Sequence, residues 1–326
     1  MTITDKTRRF AVLLTILAAG ALLLSACVSR GTGTSAPSDS ADAQATSSSM
    51  TVTDRVADTQ SESAGTETGY PLVATGEHTM RELHCTRDSL DIFGQIYLPG
   101  DGTGSYPTVI IGHGIGGSYS NNVDNAEYFA DHGIAAYVFD FIGGSTYTMS
   151  DGSMQEMSVL TETADMAAVL DELKGQPFVD GSRVFLMGES QGGCVAALAA
   201  LDHASEIAGL VLVYPAFCIP DYVHQAFGSL DELPDTATIF GQTVGKRYFA
   251  DAWNLDIYGA LTGYEGDVLI LHGSKDLVVP LTYSQRAAQA YPNAELVVLE
   301  GAAHGFSGTD RETEREDALA YFMKHL

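Results

Sequence analysis

The chain has 326 residues, a formal net charge of −26 and 45% hydrophobic residues, which is enough apolar material for a sizeable core. The acidic balance argues against nucleic acid as a partner, because no basic stripe is available to meet phosphates. It indicates a soluble, self-repelling surface and says little about the fold.

The first residues have the order of a secretory signal. Three basic residues, Lys6, Arg8 and Arg9, precede an apolar run at 10–24, which is shorter than the ~20 residues of a transmembrane helix. The run ends in LSAC, which resembles a bacterial lipobox and implies a lipid on Cys27; an ordinary cleaved signal is the alternative. We expect residues 1–27 to be a lipoprotein signal peptide, and the protein to be exported and lipid-anchored at the outer face of a bacterial cell membrane.

A low-complexity segment follows the signal. Residues 28–69 are rich in Ser, Thr, Ala, Gly and Asp and contain no aromatic residue, so they cannot bury enough apolar area to order themselves. We expect a disordered tether between the lipid and a domain. Besides Cys27, the cysteines are Cys85, Cys194 and Cys218. Their spacing matches no zinc pattern, and their odd number leaves at least one free thiol.

Residues 70–326 predict one α/β domain. Alternating segments at 80–87 and 89–99 indicate an antiparallel pair at its start. Apolar runs typical of buried strands follow at 107–114, 134–141, 183–188, 207–216, 267–273 and 295–302. Helix-like stretches stand at 121–133, 157–175, 192–204, 281–291 and 311–326. This alternation predicts a mostly parallel central sheet with helices on both faces, and ligands at the carboxyl ends of its strands.

One connection breaks the alternation. Residues 216–264 are rich in aromatic residues and lie between two predicted strands. Because the segment is too long for a simple connection, we interpret it as a small lid.

A glycine-flanked serine joins a predicted strand to a predicted helix. Gly188-Glu189-Ser190-Gln191-Gly192 is a G-x-S-x-G sequence in the strand–turn–helix setting of a nucleophile elbow. Glycine at 188 and 192 removes the Cβ atoms that would clash in so tight a turn. The turn would present the Ser190 hydroxyl above the sheet, at the start of a helix.

A serine hydroxyl needs a base, and the chain order of this arrangement places acid and histidine after the serine. His304 follows the last predicted strand on a glycine-bounded loop, whereas His203 and His224 precede any suitable acid and His325 belongs to the end of a helix. Asp276 follows the penultimate strand and would hold the imidazole in the tautomer that accepts the serine proton. We therefore expect Ser190, Asp276 and His304 to be the catalytic residues.

Two backbone N–H groups are expected to form an oxyanion hole. Gln191 follows the serine directly, and Ile115 lies in the HGIGG loop after an early strand. The same loop offers an alternative, because its glycines at 112, 114 and 117 form a G-x-G-x-x-G and Asp140 ends the next strand. A dinucleotide site is disfavoured, because it fits neither export nor the bulky His113 and leaves the serine, acid and histidine unexplained.

These motifs resemble the α/β-hydrolase superfamily and, more narrowly, bacterial cinnamoyl and feruloyl esterases and their less specific relatives. The resemblance covers most of residues 78–326 and is carried by HGIGGS, MSVLTE, GESQGG, VGKRYFADAWNLDIY, LHGSKDLVVPL and EGAAHGFSG. It implies Ser190 as nucleophile, His304 as base and Asp276 as its orienting acid. In such esterases an acidic residue and a tyrosine of the lid contact the phenolic end of the substrate, which implies Asp221 and Tyr248 here. Ordinary packing of the lid is the alternative for both.

We therefore expect a serine ester hydrolase that acts through an acyl-enzyme on hydroxycinnamoyl or other short acyl esters, either small molecules or esters linked to polysaccharide. No metal or organic cofactor is implied, and membrane contact is expected only through the lipid. One alternative is a serine peptidase of the prolyl-oligopeptidase or aminopeptidase kind on the same fold. Another is a surface-binding lipoprotein with an inactive hydrolase core.

Overall fold

The computed structural model describes residues 78–326. The predicted signal peptide, the lipid on Cys27, the tether at 28–69 and the first residues of the predicted domain lie outside this range. Within it, no helix has the length and apolar character needed to cross a membrane.

The structure is built from short strands and helices that alternate along most of the chain. The strands are β1 (His78–Glu82), β2 (Cys85–Arg87), β3 (Leu90–Ile92), β4 (Gly94–Pro99), β5 (Tyr106–Gly112), β6 (Ala135–Phe139), β7 (Val179–Glu189), β8 (Gly209–Val213), β9 (Thr236–Ile239), β10 (Gln242–Gly245), β11 (Val268–Gly273) and β12 (Ala294–Leu299). The α-helices are α1 (Val123–Asp131), α2 (Val159–Lys174), α3 (Gln191–Asp202), α4 (Ile219–Ala226), α5 (Lys246–Trp253), α6 (Ile257–Leu261), α7 (Thr282–Ala290) and α8 (Thr309–Lys324).

Eight of the strands form one sheet, in the order β1-β4-β6-β5-β7-β8-β11-β12. From β6 to β12 all neighbours in this order are parallel, whereas β4 is antiparallel to both β1 and β6. The mostly parallel sheet and its antiparallel start are as predicted. The carboxyl ends of β5, β7, β11 and β12 therefore lie along the same edge.

Both faces of the sheet are covered by helices, so its strands bury side chains on both sides. On one face Val109 of β5 packs in a cluster with Phe129 of α1 and Phe322 of α8, whose rings are 5.2 Å apart. On the other face the next residue, Ile110, packs in a cluster with Met166 of α2. This two-sided burial explains why the strands read as continuous apolar runs rather than alternating ones.

Helix ends follow local sequence signals. Ser158 begins α2 with a capping box, because its hydroxyl accepts from the Thr161 N–H and the Thr161 hydroxyl accepts from the Ser158 N–H. Just after the carboxyl end of α1, Gly133 has a φ of 88°, a conformation that favours glycine. These signals set the helix boundaries close to the predicted ones.

The predicted insertion lies between β8 and β11. It contains α4, α5, α6 and a hairpin of β9 and β10, which pair antiparallel outside the main sheet. The hairpin turns at Phe240 and Gly241, which both have positive φ angles, of 49° and 78°. We call this insertion, residues 214–267, the lid.

Candidate active site

The turn that carries Ser190 has the strained geometry of a nucleophile elbow. Ser190 has a φ of 54° and a ψ of −117°, a rare conformation for a residue other than glycine. A Cβ atom on Gly188 would lie 2.1 Å from the carbonyl oxygen of Gly192, and one on Gly192 would lie 2.3 Å from that of Gly112. Both flanking glycines are thus required by close backbone contacts.

The structure brings together the three side chains that sequence reasoning selected. His304 Nε2 is 3.0 Å from Ser190 Oγ, and His304 Nδ1 is 2.7 Å from Asp276 Oδ2. Because a carboxylate accepts hydrogen bonds, Nδ1 carries the proton and Nε2 accepts from the serine hydroxyl. The other oxygen of Asp276 accepts from the N–H groups of Val278 and Val279, each at 2.8 Å. This chain of contacts can move a proton away from Ser190.

Asp276 is buried and remains charged. Burial alone would raise the pKa of Asp276, but hydrogen bonds from His272 and His304 outweigh it and hold that pKa well below its usual range. His272 lies 3.4 Å from Asp276 Oδ2 and is itself held by Ser284 and the carbonyl of Val279. Sequence reasoning gave His272 no role; its position four residues before Asp276 is the signal that could have indicated one.

The two predicted oxyanion-hole residues flank Ser190. Gln191 is the first residue of α3, and Ile115 lies in the turn after β5; both line the cavity beside Ser190. A Cβ atom on the neighbouring Gly114 would lie 3.2 Å from Ser190 Cβ, which shows how closely this loop approaches. Neither the Gln191 nor the Ile115 N–H hydrogen-bonds to another group of residues 78–326. Both amides are therefore free to donate to an oxyanion.

A buried histidine holds the loop that contains Ile115. His113 Nδ1 donates to the carbonyl oxygen of Gly114 at 2.8 Å, and Nε2 lies 3.4 Å from the N–H of Phe141. Burial lowers the pKa of His113, which favours the neutral ring that this pattern requires.

The dinucleotide alternative does not fit the structure. Asp140 is fully buried, and its carboxylate accepts from the N–H groups of Tyr119, at 2.6 Å, and Met149, at 2.7 Å. It anchors two loops and is not available for a ribose. The loop glycines instead let β5 approach the elbow.

Two cavities meet at Ser190. The inner cavity has a volume of about 580 Å³ and lies under the lid. Besides Ile115, Ser190 and Gln191, it is lined by Ala216, Cys218, Ile219, Tyr222, Val223, Phe227, Ile239, Phe240, Tyr248, Phe249, Val278 and Val279. The outer cleft has a volume of about 890 Å³ and is more polar. Besides Ile115, Ser190, Phe240 and Val278, it is lined by Gly114, Gly116, Gly117, Asn121, Glu189, Tyr214, Gln242, His304 and Gly305.

Tyr248 lies at the wall of the inner cavity. Its hydroxyl donates to Gln191 Oε1 at 2.8 Å, and Gln191 Nε2 donates to Glu162 Oε2 at 2.7 Å. Burial raises the pKa of Glu162 well above its usual range, which favours the neutral carboxyl. Tyr248 therefore belongs to a buried network that also holds the side chain of Gln191.

Asp221 does not lie at either cavity. It is exposed on α4, accepts a hydrogen bond from the Tyr283 hydroxyl at 3.0 Å and lines a separate cleft. The reason is the rotation of α4: Ile219, Tyr222 and Val223 face the inner cavity, and Asp221 points away from that stripe. The implied contact between Asp221 and a substrate in the inner cavity is therefore not supported.

A buried arginine that sequence reasoning missed joins the segments around Ser190. The guanidinium of Arg311, on α8, donates to Glu189 and to the carbonyl oxygen of Asn121, the latter at 2.9 Å. The other carboxylate oxygen of Glu189 accepts from the Tyr214 hydroxyl at 3.1 Å, and the Tyr214 ring lies 4.7 Å from that of His304. Arg311 thus connects the strand before the elbow with the loops on both sides of it.

The described cysteines are all free and buried. Burial raises the pKa of the Cys85 thiol to about 11 and that of Cys218 to about 12, so neither is a reactive thiolate at neutral pH.

Among the residues that the structure describes, one group of side chains has a spacing that could hold a metal ion. Ligand atoms of Asp171, His203 and Glu206 lie within 4.8 Å of one another near the surface. Glu206 already accepts from Lys174, at 2.5 Å, and lies 3.0 Å from the His203 ring. This arrangement is a surface ion-pair cluster, remote from Ser190.

Comparison with known proteins identifies the fold. Residues 105–258 match the family model described as serine aminopeptidase, S33. The structure of Est1E from Butyrivibrio proteoclasticus with ferulic acid bound superposes with a TM-score of 0.68, at 24% identity, over 74% of this chain and 98% of that one. The chain has the α/β-hydrolase fold. The predicted α/β-hydrolase fold is thereby confirmed.

Relatives by sequence match about two thirds of this chain. An uncharacterized protein of Mycobacterium tuberculosis is 29% identical over 221 residues, which cover 67% of this chain and 70% of the relative. A putative carbamate hydrolase, RutD, of Agrobacterium fabrum is 26% identical over 244 residues, which cover 67% of this chain and 93% of the relative. The matched family model includes the elbow of this chain and ends before Asp276 and His304.

Proposed function

We propose that the protein is a serine ester hydrolase that works through an acyl-enzyme. The observation that carries the proposal is the hydrogen-bonded chain from Ser190 Oγ through His304 to Asp276, set at a strained elbow between two free backbone amides. This combination supplies a nucleophile, its base and an oxyanion site in one place.

The proposed reaction uses each of these groups once in every half-reaction. Ser190 Oγ attacks the ester carbonyl carbon while His304 Nε2 takes the hydroxyl proton, and the N–H groups of Gln191 and Ile115 hold the oxyanion. The ester C–O bond then breaks, and His304 returns the proton to the leaving alcohol. A water molecule, deprotonated by His304, attacks the acyl-enzyme; the acid leaves and Ser190 regains its proton. Asp276 stabilises the charged imidazole in both halves.

The two cavities indicate which part of an ester each one would take. The leaving oxygen must receive its proton from His304, which lines the outer cleft and not the inner cavity. The alcohol would thus leave through the outer cleft, and the acyl group would occupy the inner cavity. Apolar lid side chains dominate the inner cavity, which suits a hydroxycinnamoyl or short acyl group. The fold shared with the ferulic acid complex of Est1E supports this choice.

The aminopeptidase alternative needs a group that binds an α-ammonium ion. Among the described residues that line the two cavities, Glu189 is the one carboxylate. Its two oxygens are already engaged, one by Arg311 and the other by Tyr214. The site therefore offers a substrate amine no free anion, which favours an ester over an aminoacyl substrate despite the name of the matched family model.

The test compares the protein with its Ser190→Ala variant on methyl ferulate, p-nitrophenyl acetate, p-nitrophenyl butyrate and an aminoacyl-p-nitroanilide. We expect ester turnover that the variant loses, and no turnover of the anilide. Ferulate turnover would establish a hydroxycinnamoyl esterase, and activity on acetate or butyrate alone a general carboxylesterase. Cleavage of only the anilide would support the peptidase. A fluorophosphonate probe that fails to label Ser190 would support the inactive binding protein.

We also propose that the protein is exported and anchored through a lipid on Cys27, on the strength of the LSAC sequence after the apolar run. Metabolic labelling with a radioactive fatty acid tests this. Label should enter the wild-type protein and be absent from Cys27→Ser; equal labelling of both would contradict the anchor.

A further inference from the structure

Gln242 reaches over the catalytic cleft from the tip of the lid. It is the first residue of β10, directly after the turn at Phe240 and Gly241. Its side chain packs on the oxyanion loop: a Cβ atom on Gly116 would lie 2.8 Å from Gln242 Cγ and 2.9 Å from its Nε2. Gln242 lines the outer cleft together with Ser190 and His304.

The amide of Gln242 has no partner in the described part of the chain. Its Oε1 is buried without a hydrogen bond, and its Nε2 donates to no described residue. A buried polar group without a partner is unfavourable, and native proteins rarely leave one unless a ligand or water completes it. The Gln242 amide is therefore poised for a ligand in the outer cleft.

The carboxylate and amide oxygens of the other described side chains in the outer cleft are already engaged. Glu189 is bound by Arg311 and Tyr214, and Asn121 Oδ1 accepts from the N–H of Ser118 at 2.8 Å. Apart from His304 and Ser190, the cleft thus has one amide with both its donor and its acceptor available.

We propose that Gln242 determines specificity for the alcohol part of the substrate, by binding a hydroxyl group that this alcohol carries next to its ester oxygen. The inference rests on the proposed function, which places the leaving alcohol in the outer cleft. A hydroxyl group can both donate to Oε1 and accept from Nε2, and an uncharged amide gives no advantage to a charged alcohol. The substrate class is therefore an apolar acyl ester of a di- or polyhydroxy alcohol.

The experiment uses the full-length protein and two esters of one acid, ferulic or butyric, which differ in a single group. The 2-hydroxyethyl ester has a hydroxyl where the propyl ester has a methyl group. We expect the wild type to prefer the hydroxyethyl ester. Gln242→Met, which keeps the length but lacks the amide, should reduce the ratio of the two kcat/KM values roughly fivefold, the usual effect of losing one neutral hydrogen bond. The ratio is the measured quantity, because a change that affects turnover of both esters equally leaves it unaltered.

Thr243→Ala is the matched control, because Thr243 is an exposed neighbour on the same strand that lines neither cavity. It should keep the wild-type ratio. The role of Gln242 would be overturned if Gln242→Met left the ratio of the two kcat/KM values unchanged, including the case in which both values fall equally. A wild-type protein that hydrolyses neither ester and resists the fluorophosphonate probe would overturn the proposed function itself, and this inference with it.

Discussion

The loops at the carboxyl edge of the sheet and the lid contribute to the same two cavities in different ways. The loops supply reacting groups whose positions are set by close backbone contacts and buried hydrogen bonds, as at Ser190 and Asp276. The lid supplies mainly side-chain surface, and one of its polar groups, the Gln242 amide, has no partner among residues 78–326. Substitutions in the first region should therefore affect the chemical step or the fold, and those in the second should affect the choice of substrate.

The surroundings of the elbow and the lid also differ in charge. Behind the elbow, Arg311 is surrounded by the carboxyl groups of Glu189, Glu314 and Asp124, so that a buried cation and its hydrogen-bond partners hold three segments together. The inner cavity under the lid is lined by no charged side chain among the described residues. A rigid charged support with an uncharged binding surface fits a site that must orient a proton donor and bind an apolar acyl group.

The largest effect is expected for Asp276→Asn. The amide cannot hold the His304 ring in the tautomer that accepts the serine proton, so kcat should fall by about 10⁴-fold. Asp267→Asn is the matched control, because Asp267 lies at the other end of the same strand, beside His325. Ester turnover by the purified variants measures the effect. If Asp276→Asn kept more than a tenth of the activity, Asp276 would not be the orienting acid.

The second expected effect is on stability. Arg311→Met leaves the Glu189 carboxylate buried without its cation, and loss of one partner of a buried ion pair costs about 3–5 kcal/mol of the free energy of unfolding. Arg315→Met is the control, because Arg315 lies over the ring of Tyr128 near the surface. Urea unfolding of both variants measures the difference. Equal midpoints for Arg311→Met and the wild type would contradict a supporting role.

A third effect depends on pH. Burial and the charge of Glu189 raise the pKa of Glu314 to about 8, whereas that of an unfolded glutamate is 4.5. Between these values the folded state binds more protons, so Glu314 contributes stability that is present at low pH and is lost as the pH rises through about 8. The wild type should lose stability from pH 5 to 9 more steeply than Glu314→Gln. Glu312→Gln, an exposed neighbour, should keep the wild-type slope; identical slopes for all three proteins would refute the assignment.

The features that the sequence predicted follow from local patterns, whereas those it missed depend on contacts between distant residues or on the rotation of a helix. The sheet strands are short apolar runs bounded by glycine, and the order of Ser190, Asp276 and His304 along the chain follows from the order of the strands that carry them. Arg311 was missed because it contacts Glu189 across 122 positions, and no local pattern links the two. Asp221 was misplaced because proximity in sequence to the cavity residues of α4 does not give the rotation of the helix. The apolar spacing of 219, 222 and 223 could have indicated it.

The smallest effects are expected within the lid, where Tyr248 and Asp221 form a matched pair. Tyr248→Phe removes the hydroxyl that holds Gln191 Oε1 at the wall of the inner cavity, so kcat/KM for an aromatic acyl ester should fall roughly three- to tenfold. Asp221→Asn should stay within about twofold of the wild type, because Asp221 lines neither cavity and exposed substitutions away from a site rarely matter. Steady-state kinetics on methyl ferulate or the best ester compares them. A larger loss for Asp221→Asn than for Tyr248→Phe would mean that the acyl group binds across the other face of α4, in the cleft beside Trp253, rather than beneath the lid.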